Sequence, residues 1–140
     1  MTSDIYDIYT DGSNDEDIKV GWGYIVLKNG EVIFEDCGEA NPIYNSSRNI
    51  NGEVHAVIEA LTWCMENNIL EISLHHDYTG ISKWAKDEWN ANKPLTKYFK
   101  EFMKCNTVEV DWIWVKGHSG NEWNGRADVL AGKGRGKVYD

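Results

Sequence analysis

The chain has 140 residues, 41% of them apolar, with seven Trp and seven Tyr, which suits one domain with a real core and excludes a disordered composition. Its net charge of −9 argues against tight, sequence-blind binding to nucleic acid, because the phosphate term rewards Lys and Arg. No apolar run approaches a membrane span and the opening Met1-Thr2-Ser3-Asp4 is not a signal peptide, so the expectation is a cytoplasmic protein, with monomer as the default.

In chain order, residues 4–11 read as a first strand. Val20, Trp22, Tyr24 and Val26 alternate as a second. Asn29-Gly30 supplies a tight hairpin turn into a third strand from Val32 to Cys37. After a polar loop over Asn41–Asn51, a helical stripe of Ala56, Val57, Ala60, Leu61 and Cys64 runs within Gly52–Asn68, with Glu53 on the same stripe. A short strand (Ile72–His76), a helix (about Gly80–Trp89) and a further helix after Pro94 to about Lys104 follow. Val108, Val110, Trp112 and Trp114 alternate as a last strand, and a final helix spans Glu122–Ala131. Three meandering strands followed by strands joined through helices predict an α/β fold on a mixed sheet. Cys37, Cys64 and Cys105 are odd in number and far apart, and read as reduced, buried thiols.

Four acids fall at element ends or on inward faces: Asp11 closing the first strand, Glu53 starting the helical stripe, Asp77 ending the fourth strand, and Asp128 in the last helix. Each also has a plainer reading. Asp11 could form a turn, Glu53 could favour a helix N-terminus, Asp77 could cap a helix, and Asp128 could pair with Arg126. Taken together they suggest more, because open sheets of this type collect ligands beyond the carboxyl ends of strands. Converging carboxylates repel and would protonate unless a cation neutralises them. Oxygen-only ligands suit Mg²⁺ or Mn²⁺, and two such ions support phosphodiester hydrolysis.

The segments YTDGS, NINGEVHAVIEAL, LHHDYTGI and VKGHSGNEWNGRADVLAG occur in this order over nearly the whole chain. Together they resemble type 1 ribonuclease H. NINGE and DYTGISKWAKDEWNANKPLTK are most similar to the bacterial branch often fused to a viroplasmin-like hybrid-binding domain, which is not expected within these 140 residues. The resemblance implies a ribonuclease H-like fold with a mixed five-stranded sheet, three antiparallel strands then two parallel, and helices on both faces. It implies a catalytic domain over 1–132 and a mobile tail over 133–140. It further implies an endoribonuclease that cuts the RNA strand of RNA/DNA hybrids by two-metal-ion catalysis, leaving 3′-hydroxyl and 5′-phosphate ends. The cofactor would be two Mg²⁺ ions, with Mn²⁺ able to substitute.

By the same resemblance, Asp11, Glu53, Asp77 and Asp128 are the catalytic acids and metal ligands. His118, in a Gly/Ser-flanked loop, would assist proton movement or product release. Asn49 would contact the hybrid minor groove, and Gly12 and Ser13 would admit close backbone approach. Asn124 and Arg126 would support the site, Arg126 as a structural residue. Arg48 is open between gripping a phosphate and a solvated loop. Three departures stand out: Ile50 and Tyr78 replace residues commonly polar, and Lys86-Asp87-Glu88-Trp89 is not a basic handle. Weak substrate affinity is therefore expected.

Zinc binding by His55, His75 and His76 is disfavoured, because adjacent strand residues point to opposite faces. Among the tryptophans only Trp123, near the His118 loop, is a candidate for base stacking. A 3′–5′ exonuclease would need an acid where Ser13 stands. Transposases and resolvases usually need a longer chain. A non-catalytic hybrid-binding module would have no need of four acids, and a purely structural role would leave Glu53 uncompensated on an apolar stripe.

Overall fold

The alternating apolar segments assemble into one five-stranded sheet in the order β3-β2-β1-β4-β5. The strands are β1 (Tyr6–Asn14), β2 (Val20–Lys28), β3 (Glu31–Glu39), β4 (Glu71–His76) and β5 (Glu109–Trp114). β1–β2 and β2–β3 are antiparallel, whereas β1–β4 and β4–β5 are parallel, as expected for a meander followed by helical crossovers. The computed structural model describes residues 4–14, 19–43, 48–77, 94–116 and 121–137, with the Arg48 and Asn49 side chains left out. The expected helix near Gly80–Trp89, Tyr78, the Lys86–Trp89 segment, His118 and residues 138–140 lie outside the described residues.

Three described helices pack on this sheet: α1 (Arg48–Glu66), α2 (Pro94–Cys105) and α3 (Glu122–Gly134). The main core sits between α1, α2 and one sheet face. It joins Ile8, Val20, Tyr24, Val26 and Leu74 to Val54, Val57, Leu61, Leu95 and Phe99. A smaller cluster of Ile25, Leu27 and Leu130, with Tyr9, Cys37 and Trp123 against it, lies under α3 on the other face. β2 is buried from Val20 to Leu27 because both of its faces are covered. Each large apolar side chain so enclosed contributes about 1.5–3 kcal/mol by leaving water. No described helix is long and apolar enough to cross a membrane.

The hairpin turn is as expected. Asn29 and Gly30 have φ of 52° and 85°, the paired positive values of the tight turn that matches strand twist. β3 is an edge strand with a bulge: Val26 lies opposite Phe34 and Leu27 opposite Val32, which leaves Ile33 as the extra residue. Val32, Ile33 and Phe34 are exposed, and Phe34 stacks on Trp63 at 5.3 Å.

Several boundaries differ from the expectation. β1 does not close at Asp11 but runs on to Asn14, because Gly12, Ser13 and Asn14 pair with Trp22, Gly21 and Val20. α1 begins at Arg48, four residues before Gly52, so Glu53 lies past the first turn. α3 runs to Gly134, and Arg135 beyond it donates from Nε to Ser13 Oγ at 2.7 Å. Of the cysteines only Cys64 is buried, while Cys105 at the end of α2 is exposed; all three are free.

Candidate active site

Strand register brings the first two acids together. Tyr9 pairs with His75 across the parallel β1–β4 ladder, so Asp11 and Asp77, each two residues further on, fall beside one another on the same face. Glu53 reaches them from α1 because that helix lies directly on β1. A Cβ on Gly12 would come within 2.5 Å of the Gly52 carbonyl carbon, and one on Gly52 within 2.9 Å of Gly12 Cα. Only residues without side chains allow this approach. The outcome is a group in which carboxylate oxygens of Asp11, Glu53 and Asp77 all lie within 4.8 Å of one another. Asp128, exposed on α3, stands outside that group. Its charge nevertheless acts on both Asp11 and Asp77.

Burial dominates the electrostatics. Asp11 is 4% exposed, and its pKa is pushed up to about 8, chiefly by desolvation and further by the charges of Asp77 and Asp128. The Gly12 N–H donates to Asp11 Oδ1 at 2.9 Å and opposes that rise. Glu53 is raised well above the usual carboxylate range, first by burial and then by the charges of Asp11 and Asp77. Asp77 is raised as well, again mainly by burial. Glu53 is half-buried as a residue, yet its Oε2 is fully enclosed and has no hydrogen-bond partner among the described residues.

An enclosed, unpartnered carboxylate oxygen beside two more carboxylates fits a hard divalent cation, which takes oxygen ligands and offsets their repulsion. Asp11, Glu53 and Asp77 are the residues that could hold it, with Asp128 at the rim. The helix-terminus reading of Glu53 does not hold, since α1 carries no acid in its first turn. Nor does Asp128 need Arg126: that guanidinium pairs with Glu35 through both Nε (3.2 Å) and Nη2 (2.6 Å).

The remaining candidates are placed as follows. Gly12 is the contact point with α1, and Ser13 is held by Arg135. Asn124 is 6% exposed within α3, and its backbone N–H donates to Asn121 Oδ1. Arg48 and Asn49 stand in the first turn of α1. Trp123 packs against the Ile25–Leu27–Leu130 cluster. His76 is buried edge-on to Trp112, while His75 faces the other way and meets Asp7 at 2.8 Å, so the two do not converge on one ion.

Two neighbours of the site escaped the sequence reading. Trp114, 55% exposed, donates from Nε1 to the Asp77 carbonyl at 3.1 Å; its place at the end of the alternating strand was the only signal. Asn121 caps α3 by accepting from the N–H groups of Trp123 and Asn124, and an Asn directly before a helix is a readable start signal.

The family model described as RNase H matches residues 3–135. A ribonuclease H of Hyphomonas neptunium is 33% identical over 147 residues, covering 96% of this chain and 95% of that protein. One of Parvibaculum lavamentivorans is 34% identical, covering 94% and 92%. Among solved structures, the RNase H1 of Halobacterium salinarum superposes with a TM-score of 0.74 at 19% identity, covering 92% of this chain and 96% of that one. LC11-RNase H1, solved with an RNA/DNA hybrid, gives 0.70 at 19% identity, covering 93% and 96%. The family match and the relatives above 30% identity agree with the fold and the acid cluster: the chain belongs to the ribonuclease H family.

Proposed function

We propose that this chain is an endoribonuclease that hydrolyses the RNA strand of RNA/DNA hybrids with two divalent cations, leaving 3′-hydroxyl and 5′-phosphate ends. The observation that carries the reading is the group of Asp11, Glu53 and Asp77, oxygens within 4.8 Å and pKa values raised by burial. A folded chain keeps such a costly arrangement where a cation offsets it. The hybrid seen with LC11-RNase H1 supports the choice of substrate.

In this reading Asp11, Glu53, Asp77 and Asp128 hold Mg²⁺, with Mn²⁺ able to substitute. When bound, the cations supply an activated water and charge stabilisation at the leaving oxygen. The chain's own part is to keep the carboxylates fixed; their burial favours protonation, which a bound cation would offset. Gly12 N–H orients Asp11, the Gly12–Gly52 contact sets Glu53, and strand register sets Asp77. Exposed Asp128 faces the side from which substrate and water arrive. Gly12, Ser13, Arg48, Asn49 and Asn124 contact the hybrid, and His118 assists proton movement or product release. A cytoplasmic monomer completes the proposal.

The test is cleavage of end-labelled hybrid beside single-stranded RNA, duplex RNA and duplex DNA, with Mg²⁺, Mn²⁺ or chelator. Metal-dependent cutting of hybrid RNA alone, lost in Asp77→Asn, is the expected result. Hybrid that is bound but left intact with every metal would overturn it.

A further inference from the structure

Of the three acids that converge, two are fixed by regular structure. Asp11 is paired with Gly23 inside the β1–β2 ladder, and Glu53 lies within α1. Asp77 stands one residue past the end of β4, where the chain bends. The β4–β5 ladder closes at the pair His76–Trp114, and its last rung is the Val115 N–H donating to the His76 carbonyl at 2.7 Å. The Leu70 carbonyl likewise accepts from Glu109 N, so even-numbered residues along this stretch turn their carbonyls towards β5 and odd-numbered ones towards β1. A straight continuation of the strand would therefore aim the Asp77 carbonyl at β1. Instead it accepts from Trp114 Nε1, on β5, at 3.1 Å. The indole thus holds the main chain in its turned path at the residue that contributes a carboxylate to the acid group.

We propose that Trp114 is a positioning residue for the cation site: its indole N–H fixes the bend at Asp77, and so the direction from which that carboxylate meets Asp11 and Glu53. Packing does not account for the side chain, because 55% of its surface is in water. Trp112, two residues earlier on the same strand face, packs against the main core instead. The contact with Asp77 needs only a donor at a set distance from the strand, and an exposed indole supplies one. Partners that orient a metal ligand act on cation affinity as well as on rate. Asp11 and Glu53 keep their places without the indole, so its loss weakens the site rather than dismantling it. The inference rests on the proposed cation binding by Asp11, Glu53 and Asp77, and goes beyond it in naming what holds the one acid outside helix and strand.

Two variants separate the donor from the ring. Histidine Nε2 lies as many bonds from Cβ as tryptophan Nε1 does, so Trp114→His at about pH 8, where imidazole is neutral, keeps a donor in place and loses the benzene portion. Trp114→Phe keeps an aromatic ring and loses the donor. Cation binding is measured without nucleic acid, by the loss of the free Mn²⁺ spin-resonance signal. Cleavage of RNA/DNA hybrid is measured across Mg²⁺ concentrations for kcat and KM. Trp114→Phe is expected to weaken Mn²⁺ binding about tenfold and to raise the half-saturating Mg²⁺ by a similar factor, with KM for hybrid within about twofold at saturating Mg²⁺. Its kcat should recover as Mg²⁺ is raised, which a loss of packing would not do. Trp114→His is expected to bind Mn²⁺ and cut hybrid much as the unmodified chain does. If Trp114→Phe matches the unmodified chain in both readouts, or if Trp114→His loses as much as Trp114→Phe, the indole N–H does not position Asp77. The inference is then overturned while the functional reading stands. If the unmodified chain neither binds Mn²⁺ nor cuts hybrid, the functional reading falls, and this inference with it.

Discussion

Gly12 and Gly52 touch backbone to backbone: a Cβ on either would come within 3 Å of the other's main chain. This contact lets α1 lie close enough for Glu53 to join Asp11. Gly52→Ala would force the helix outward and cost about 1–3 kcal/mol by overpacking. Activity should fall by more than the unfolded fraction explains, because the displacement is passed to the next residue. Thermal melts and hybrid cleavage on the same preparation separate the two effects.

Replacing Glu53 with glutamine should stabilise the cation-free protein while abolishing its activity. Burial and the charges of Asp11 and Asp77 both disfavour the ionised carboxylate at this position, and a neutral isostere removes that cost. At pH 8 in chelator Tm should rise by about 3–8 °C, as expected for 1–2 kcal/mol in a chain of this size. Cleavage should drop by about 1,000-fold or more. Equal melting of the two proteins would mean that the cluster carries no repulsive strain.

Asp11 sets a pH window. Its folded pKa of about 8 lies above the unfolded value near 4, so between these values the folded chain binds the extra proton. Stability of the cation-free protein therefore falls as pH rises through that interval, by on the order of a few kcal/mol. Mg²⁺ should reverse this, and its stabilising effect should be larger at pH 8 than at pH 5. Its half-saturating concentration should drop by about tenfold per pH unit for each proton displaced. Melts across pH with and without Mg²⁺ read both signs.

The ends of the elements around this cluster were the least legible part of the sequence. Asn29-Gly30 could be read directly because its turn chemistry is local. The end of β1 could not: Asp11-Gly12-Ser13-Asn14 looks like a turn, and becomes strand only through pairing with Val20–Gly23. The start of α1 was hidden for a similar reason. Residues Arg48–Asn51 have no apolar period, and Asn51 Nδ2 donates across to the Asn41 carbonyl at 3.2 Å. Asp11, Glu53 and Asp77 were visible since each falls at a strand end or on an inward face, whereas Asp128 is exposed in the middle of α3. Their mutual distances depend on register between distant segments.

Arg126 offers a check on the division between structure and binding. Its bidentate pair with Glu35 is about a third exposed on each side, so solvent screening holds its contribution to about 1 kcal/mol or less. Arg126→Met should lower Tm slightly and leave KM for hybrid unchanged. A KM several-fold higher, with a shallower salt dependence of binding, would instead mark Arg126 as a phosphate contact.

The bulged outer strand β3 has a consequence for handling the protein. Val32, Ile33 and Phe34 are exposed there, beside Glu31, Glu35, Asp36 and Glu39. An open strand edge invites pairing with another molecule, and charge together with a bulge holds it off. The acidity that weakens attraction to nucleic acid thus also keeps neighbouring molecules apart. Near the isoelectric point of about 4.8 the chain's net charge vanishes while the apolar trio remains. Solubility should be lowest there, and edge-to-edge association begins at β3.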